Sequence, residues 1–143
     1  MEDCIFCKMF SGEVKTRKVY EGKDVIGIVD VAPRFAEGQC VVIHRRHIAH
    51  FYDLEDEDLT QLFVGVKAVA RKIREAFGTP LVSIFTRGIT VPIHSHVIVY
   101  PSTGEGPMDR VMAPLLEAEA VRRISPAQLD EIAQRIRTAC CLT

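Results

Sequence analysis

Three groups of residues in this chain have types and spacings that suit chemistry. In Val91-Pro92-Ile93-His94-Ser95-His96-Val97-Ile98-Val99-Tyr100, two histidines stand two apart within a stretch that reads as a strand. Side chains alternate faces along a strand, so His94 and His96 point the same way, with Pro92 beside them. Ile93, Val97 and Val99 face the other side, in an apolar row that Ser95 interrupts. Paired imidazoles are costly as core filler because each needs a hydrogen-bond partner, and they suit an anion or a metal. The second group is Cys4 and Cys7, three apart, the spacing with which a tetrahedral zinc site takes two thiolates from one turn. The third is His44, His47 and His50, at intervals of three beside Arg45 and Arg46. Together with the cysteines these histidines complete a ligand set of mixed sulfur and nitrogen type. Taken singly, each group also fits a plain reading: half-exposed strand histidines, two thiols, a solvated surface run. Asp30, at the end of a strand, suits either a turn cap or a bidentate hydrogen bond to a diol such as ribose.

The elements that must carry these residues follow from hydrophobic patterning. Cys4 to Phe10 reads as one or two helical turns, stopped at Ser11-Gly12. Residues 18–21 and 25–30 flank a Gly22-Lys23-Asp24 turn and read as a hairpin, and Gln39 to Ile43 form a third strand. The acidic run Asp53 to Asp58 opens a long amphipathic helix. In it Leu59, Leu62, Phe63, Val66, Val69, Ala70, Ile73 and Phe77 recur at steps of three and four until Gly78-Thr79-Pro80 stops it. Leu81 to Thr86 form a fourth strand, and Arg87 to Thr90 join it to the histidine strand. After a loop from Pro101 to Pro107, Ser125-Pro126 opens a last helix with Leu129, Ile132 and Ile136 inward.

Composition narrows the classes. The chain has 143 residues, 48% hydrophobic and 26% charged, and reads as a single domain spanning 1–143 with a sizeable core. A formal charge of -1 argues against an extended nucleic-acid footprint. No run is apolar for long enough to span a bilayer. The acidic start Met-Glu-Asp-Cys carries no secretory signal, and five cysteines point to reduced thiols or metal ligands; both suggest the cytoplasm. A zinc-stabilised nucleic-acid module is disfavoured, because the cysteine and histidine pairs are too far apart for a compact finger.

Several features in order resemble one family. They are Cys4-Ile-Phe-Cys-Lys with Gly12-Glu, then Val19-Tyr-Glu, then Val25 with Asp30 and Pro33, then Val41-Val-Ile with Arg46-His-Ile, a long helix, and a strand of alternating histidines. The chain is thereby identified as similar to the histidine-triad (HIT) superfamily over roughly residues 3–101, with a divergent extension over 102–143. The resemblance implies an α+β fold, a mostly antiparallel five-stranded sheet with one long helix packed on it, followed here by a C-terminal helix. It further implies a homodimer and chemistry at the α-phosphorus of a purine nucleotide, such as a nucleoside phosphoramidate or a dinucleoside polyphosphate. The middle histidine of His-x-His-x-His attacks phosphorus in such enzymes, and water hydrolyses the nucleotidyl-histidine.

Carried over by position, and counting back from His96, the resemblance makes His94 the nucleophile and His96 the phosphate-holding third histidine. The first histidine is then missing, either replaced by Pro92 or deleted between Pro92 and Ile93. Thr90 falls near the leaving group, Asp30 is the ribose carboxylate, and Ile5, Phe6, Met9, Ile28 and Val31 form the base pocket. Gln39 replaces a phosphate-side imidazole, and Arg87 supplies positive charge near phosphate. Zinc-bearing relatives use the two cysteines, a histidine equivalent to His47 and the first triad histidine. With that one absent, the fourth ligand falls to His50, to His44 or to water. The departures also suit an alternative, a catalytically weak nucleotide-binding or regulatory HIT protein.

Overall fold

The computed structural model describes residues 4–86, 94–116 and 124–139. Five strands, β1 (Lys18–Glu21), β2 (Val25–Val29), β3 (Cys40–His44), β4 (Leu81–Phe85) and β5 (His96–Ser102), form one sheet in the order β1-β2-β3-β5-β4. Every pairing is antiparallel. Helix α1 (Ile5–Ser11) and helix α2 (Asp56–Phe77) cover its two faces, as the strand alternation requires. Val25, Cys40, Val42, Val97 and Val99 meet Leu62, Val66, Val69 and Ile73 of α2. The intervening residues Ile26, Ile28, Val41 and Ile43 meet Phe6 of α1, beside Cys4. Both faces of the middle strands are thus buried, and β3 is apolar throughout until His44.

The acidic start of α2, Asp56, Glu57 and Asp58, complements the helix dipole, and Gly78 ends the helix. Its buried stripe is narrower than the patterning suggests: Phe63 and Phe77 lie at its margin, 36% and 48% exposed. Two glycines fit helix and loop to the sheet. A Cβ on Gly65 would stand 2.8 Å from Val25 Cγ1, so α2 can lie this close to β2 only with glycine there. Gly38 has φ +84°, and the Phe77 ring fills the space that a side chain would need.

The chain divides into two compact units, Met1–Val111 and Met112–Thr143. The first contains the sheet, α1, α2 and the start of α3 (Pro107–Leu116). There Asp109 accepts hydrogen bonds from the backbone N–H of Thr103 (3.1 Å), Gly104 (2.9 Å) and Gly106 (3.2 Å), and from the Ser102 hydroxyl. These bonds hold its carboxyl below the usual aspartate range, the Ser102 hydroxyl foremost. The second unit contains α4 (Pro126–Thr138), opened by a Ser125/Gln128 capping box with Pro126 in its first turn. Leu129, Ile132 and Ile136 are exposed rather than inward. No helix among the described residues is long and apolar enough to cross a membrane.

Candidate active site and metal centre

The most concentrated chemistry lies where α1, the bend after β3 and the segment before β5 meet. Cys4 caps α1 and Cys7 lies in its first turns; His47 follows β3 and His94 precedes β5. The Ser95 N–H donates to the Ile48 carbonyl at 2.5 Å, which ties the strand bearing His94 to the loop bearing His47. One ligand atom from each of Cys4, Cys7, His47 and His94 lies within 4.8 Å of all the others. Cys4 Sγ stands 3.4 Å from His94 Nδ1, Cys7 Sγ 3.3 Å from His47 Nδ1 and 3.7 Å from His94 Nδ1. Tetrahedral zinc with Zn–S near 2.3 Å and Zn–N near 2.0 Å sets sulfur–nitrogen separations of about 3.5 Å, so this donor set fits that ion. Burial pushes the His94 imidazole toward its neutral, ligating form. Burial, with Cys4 adjacent, pushes the Cys7 thiol up, a direction that a dication would reverse.

This geometry corrects two expectations. The fourth member of the cluster is His94, and His50 is not part of it: the His50 ring stacks on Tyr52 with centroids 4.9 Å apart. His44 is not in it either. Its buried ring accepts the Arg46 N–H on Nδ1 at 3.1 Å and turns Nε2 toward Asp58, 3.5 Å away. Burial lowers its pKa more than Asp58 raises it. The three histidines therefore do not share one side of a turn, because His44 is still in β3 with its side chain on the α2 face.

The geometry also gives the two strand histidines different surroundings. His94 is 1% exposed, and its Nε2–H donates to the His44 carbonyl at 2.8 Å while Nδ1 faces the thiols. Nε2 is thus turned to a backbone carbonyl, and the remaining lone pair, on Nδ1, faces the thiols. His96 is differently placed. Its Nδ1 lies 2.9 Å from the His94 carbonyl, an acceptor only, so Nδ1 carries the proton and Nε2 keeps the lone pair. Among the described residues no partner holds Nε2. The ring packs against Phe6, 5.0 Å between centroids. Counted with His96 as the middle histidine of a triad, His94 takes the first place and Ile98 the third.

On the face of β5 that carries His96, strand alternation also places Ile98 and the buried Tyr100. The Phe35 ring packs on Tyr100 and on Phe85, 5.2 Å from each. Sequence reasoning passed over this aromatic group, although the two-residue period from His96 points to Tyr100. Of the expected base pocket, Phe6 and Ile28 are buried and Met9 packs beside them, while Ile5 and Val31 are exposed, Val31 at 82%. Asp30, just beyond the Val29–Cys40 pair, accepts the Ala32 N–H at 2.9 Å and the Gln39 side-chain amide at 2.5 Å. Arg87 and Thr90 lie outside the described residues.

A sheet of this topology, with a thiol–imidazole cluster at one end and an oriented imidazole beside it, defines an α+β protein of the histidine-triad class. The comparisons agree. The HIT domain family matches residues 11–102. Over 110 residues the chain is 33% identical to the protein hit of Bacillus subtilis, covering 73% of this chain and 74% of that one. It is 34% identical over 71 residues to an adenosine 5′-monophosphoramidase of Saccharomyces cerevisiae, covering 50% and 44% of the two. Among solved structures, a HIT family member from Bacillus subtilis has a TM-score of 0.79 at 27% identity, covering 99% of both chains. A HIT family hydrolase from Clostridium thermocellum has a TM-score of 0.62 at 25% identity, covering 75% of this chain and 96% of that one. The chain belongs to the HIT family.

Proposed function

We propose that this chain is a nucleotide hydrolase or nucleotidyl transferase acting at the α-phosphorus of a purine nucleotide, with His96 as nucleophile. The observation that carries this reading is the His96 Nδ1–H held by the His94 carbonyl, which aims a neutral Nε2 lone pair out of the strand. In the first step Nε2 bonds to phosphorus and the bond from phosphorus to the leaving group breaks, the leaving group taking up a proton. Water then attacks the nucleotidyl-histidine, frees the nucleotide and restores the imidazole. Met9, partly buried beside the core residues Phe6 and Ile28, offers the base an apolar contact, and Asp30 takes the ribose hydroxyls. The named activities of the yeast relative and of the clostridial hydrolase support this reaction class. A phosphoramidate or a dinucleoside polyphosphate fits as substrate.

Cys4, Cys7, His47 and His94 would hold zinc, which supplies structure by fixing α1 against β5. The Nε2–H of His94 on the His44 carbonyl is the outer bond that orients such a ligand. A reducing compartment, the cytoplasm, keeps the thiols free to bind. The edge strand β4, with Leu81 and Ile84 exposed, supports a homodimer.

Ile98 in the third triad position favours the second reading, a nucleotide-binding protein of weak activity, since an apolar side chain cannot hold phosphate. One experiment separates them: adenosine and guanosine phosphoramidates and dinucleoside polyphosphates are incubated with the protein, and acid-quenched adducts are mapped. The enzyme reading expects a nucleotidyl adduct on His96 and a loss of turnover of at least a thousandfold in His96→Ala. Adduct on another residue, or equal turnover in the variant, overturns it. Binding without turnover supports the second reading.

A further inference from the structure

We propose that Gln39 is a positioning residue, which fixes the Asp30 carboxylate for bidentate capture of a ribose 2′,3′-diol and closes the loop of residues 31–38 beside it. The proposal rests on the reading of Asp30 as the ribose carboxylate. Gln39 is 3% exposed, and its side chain is spent inside the protein. Its Oε1 accepts the backbone N–H of Arg34 at 3.2 Å and of Phe35 at 3.0 Å, and its Nε2 donates to Asp30 Oδ2 at 2.5 Å. The orientation of the amide follows from these partners, since a flip would set donor against donor at Arg34 and Phe35 and acceptor against acceptor at Asp30. The backbone closes the same corner: the Asp30 N–H donates to the Gln39 carbonyl at 3.0 Å, and the Gln39 N–H to the Ala36 carbonyl at 3.2 Å.

An ionised carboxylate offers about two acceptor positions on each oxygen. On Asp30 one position per oxygen is filled, Oδ1 by the Ala32 N–H and Oδ2 by Gln39. What remains is one position on each oxygen, the pattern that two vicinal hydroxyls match. Gln39 does this while also holding the N–H of Phe35, whose ring meets Phe85 and Tyr100 on the sheet face that carries His96. A neutral imidazole has one donor and one acceptor nitrogen on a rigid ring. A glutamine amide has two donors and a two-lone-pair oxygen, and so serves Asp30 and the loop together. Gln39 thus acts through Asp30 and does not meet phosphate.

The test is calorimetric binding of adenosine and guanosine 5′-monophosphates and of their 2′-deoxy counterparts to wild type, Q39M, Q39E and Asp30→Ala. Q39M removes both sets of bonds. Q39E keeps acceptors for Arg34 and Phe35 but sets a second carboxylate against Asp30, so the loop is retained while the carboxylate is displaced. Wild type is expected to prefer the ribonucleotides by about tenfold or more, the scale of hydrogen bonds to a charged group. The preference should fall to about one in Q39M, Q39E and Asp30→Ala, with deoxynucleotide affinity changed by less than threefold in Q39E. A purely structural role for Gln39 would weaken both sugars equally and leave the ratio as in wild type, which overturns the proposal. If the ratio collapses in Asp30→Ala but persists in both Gln39 variants, Gln39 alone loses its role. If Asp30→Ala leaves the ratio unchanged, or wild type binds none of the four nucleotides, the ribose reading itself fails.

Discussion

His94 and His96 are two residues apart on one face, and their chemistry is separated by a single carbonyl. His94 turns Nε2 to the His44 carbonyl and Nδ1 to the thiols, whereas His96 spends Nδ1 on the His94 carbonyl. One imidazole therefore lies in the thiol–imidazole cluster, and the other has one ring nitrogen held by a backbone carbonyl. Purified protein should contain about one zinc per chain by plasma emission, and Cys7→Ser or His94→Ala should each cut that content to well under half. A content near zero in wild type would remove the metal from the site. Where zinc is bound, a strong chelator should lower Tm by several degrees, because a closed Cys/His site contributes to folding.

At the scale of elements, the fit of α2 on the sheet depends on Gly65. Alanine is the better helix former by about 1 kcal/mol. Its Cβ would nevertheless stand 2.8 Å from Val25 Cγ1 and 3.1 Å from the Tyr20 ring, and overpacking of this kind costs about 1–3 kcal/mol. Gly65→Ala should therefore lower Tm in a thermal melt, whereas a rise would show that the helix shifts away freely. The turn between β5 and α3 depends on Asp109, whose carboxyl is held low by the Ser102 hydroxyl and three backbone N–H groups. A group whose folded pKa is depressed contributes fully above its unfolded pKa, and the contribution is lost as pH falls through the folded value. Asp109→Ala should cost ~2–4 °C in Tm at pH 7, and the gap to wild type should close in melts run at progressively lower pH through the aspartate range. A gap that persists at the acid end would deny the carboxylate its role.

For the whole molecule, β4 is a sheet edge that carries exposed Leu81 and Ile84, the kind of surface that a second copy extends or covers. Light scattering should give a dimer mass for wild type, and Ile84→Lys should shift it toward the monomer by placing a charge on that edge. A wild-type mass of one chain would sink the dimer. In the second unit Leu129, Ile132 and Ile136 of α4 repeat at helical spacing, yet all three are exposed, in a unit too small to bury them by itself.

The sequence by itself determined the elements and their class. The short, largely β-branched apolar runs of β2, β3 and β5 and the three-to-four period of α2 are local properties of the chain, and Gly12, Gly78 and the Ser125-Pro126 start mark helix ends without help from elsewhere. It also singled out Cys4, Cys7, His47 and His94, whose ligand atoms the fold brings together. Only the tertiary structure gave the two strand histidines different surroundings. Spacing along the chain leaves His94 and His96 equivalent, one period apart on the same face. They are distinguished by groups about 90 and 50 residues distant in sequence, the Cys4 thiol and the His44 carbonyl, which bind one ring and leave the other free. The thiol–imidazole cluster and Gln39's hold on Asp30 come from the same source, because both are made by side chains that meet only when the chain folds.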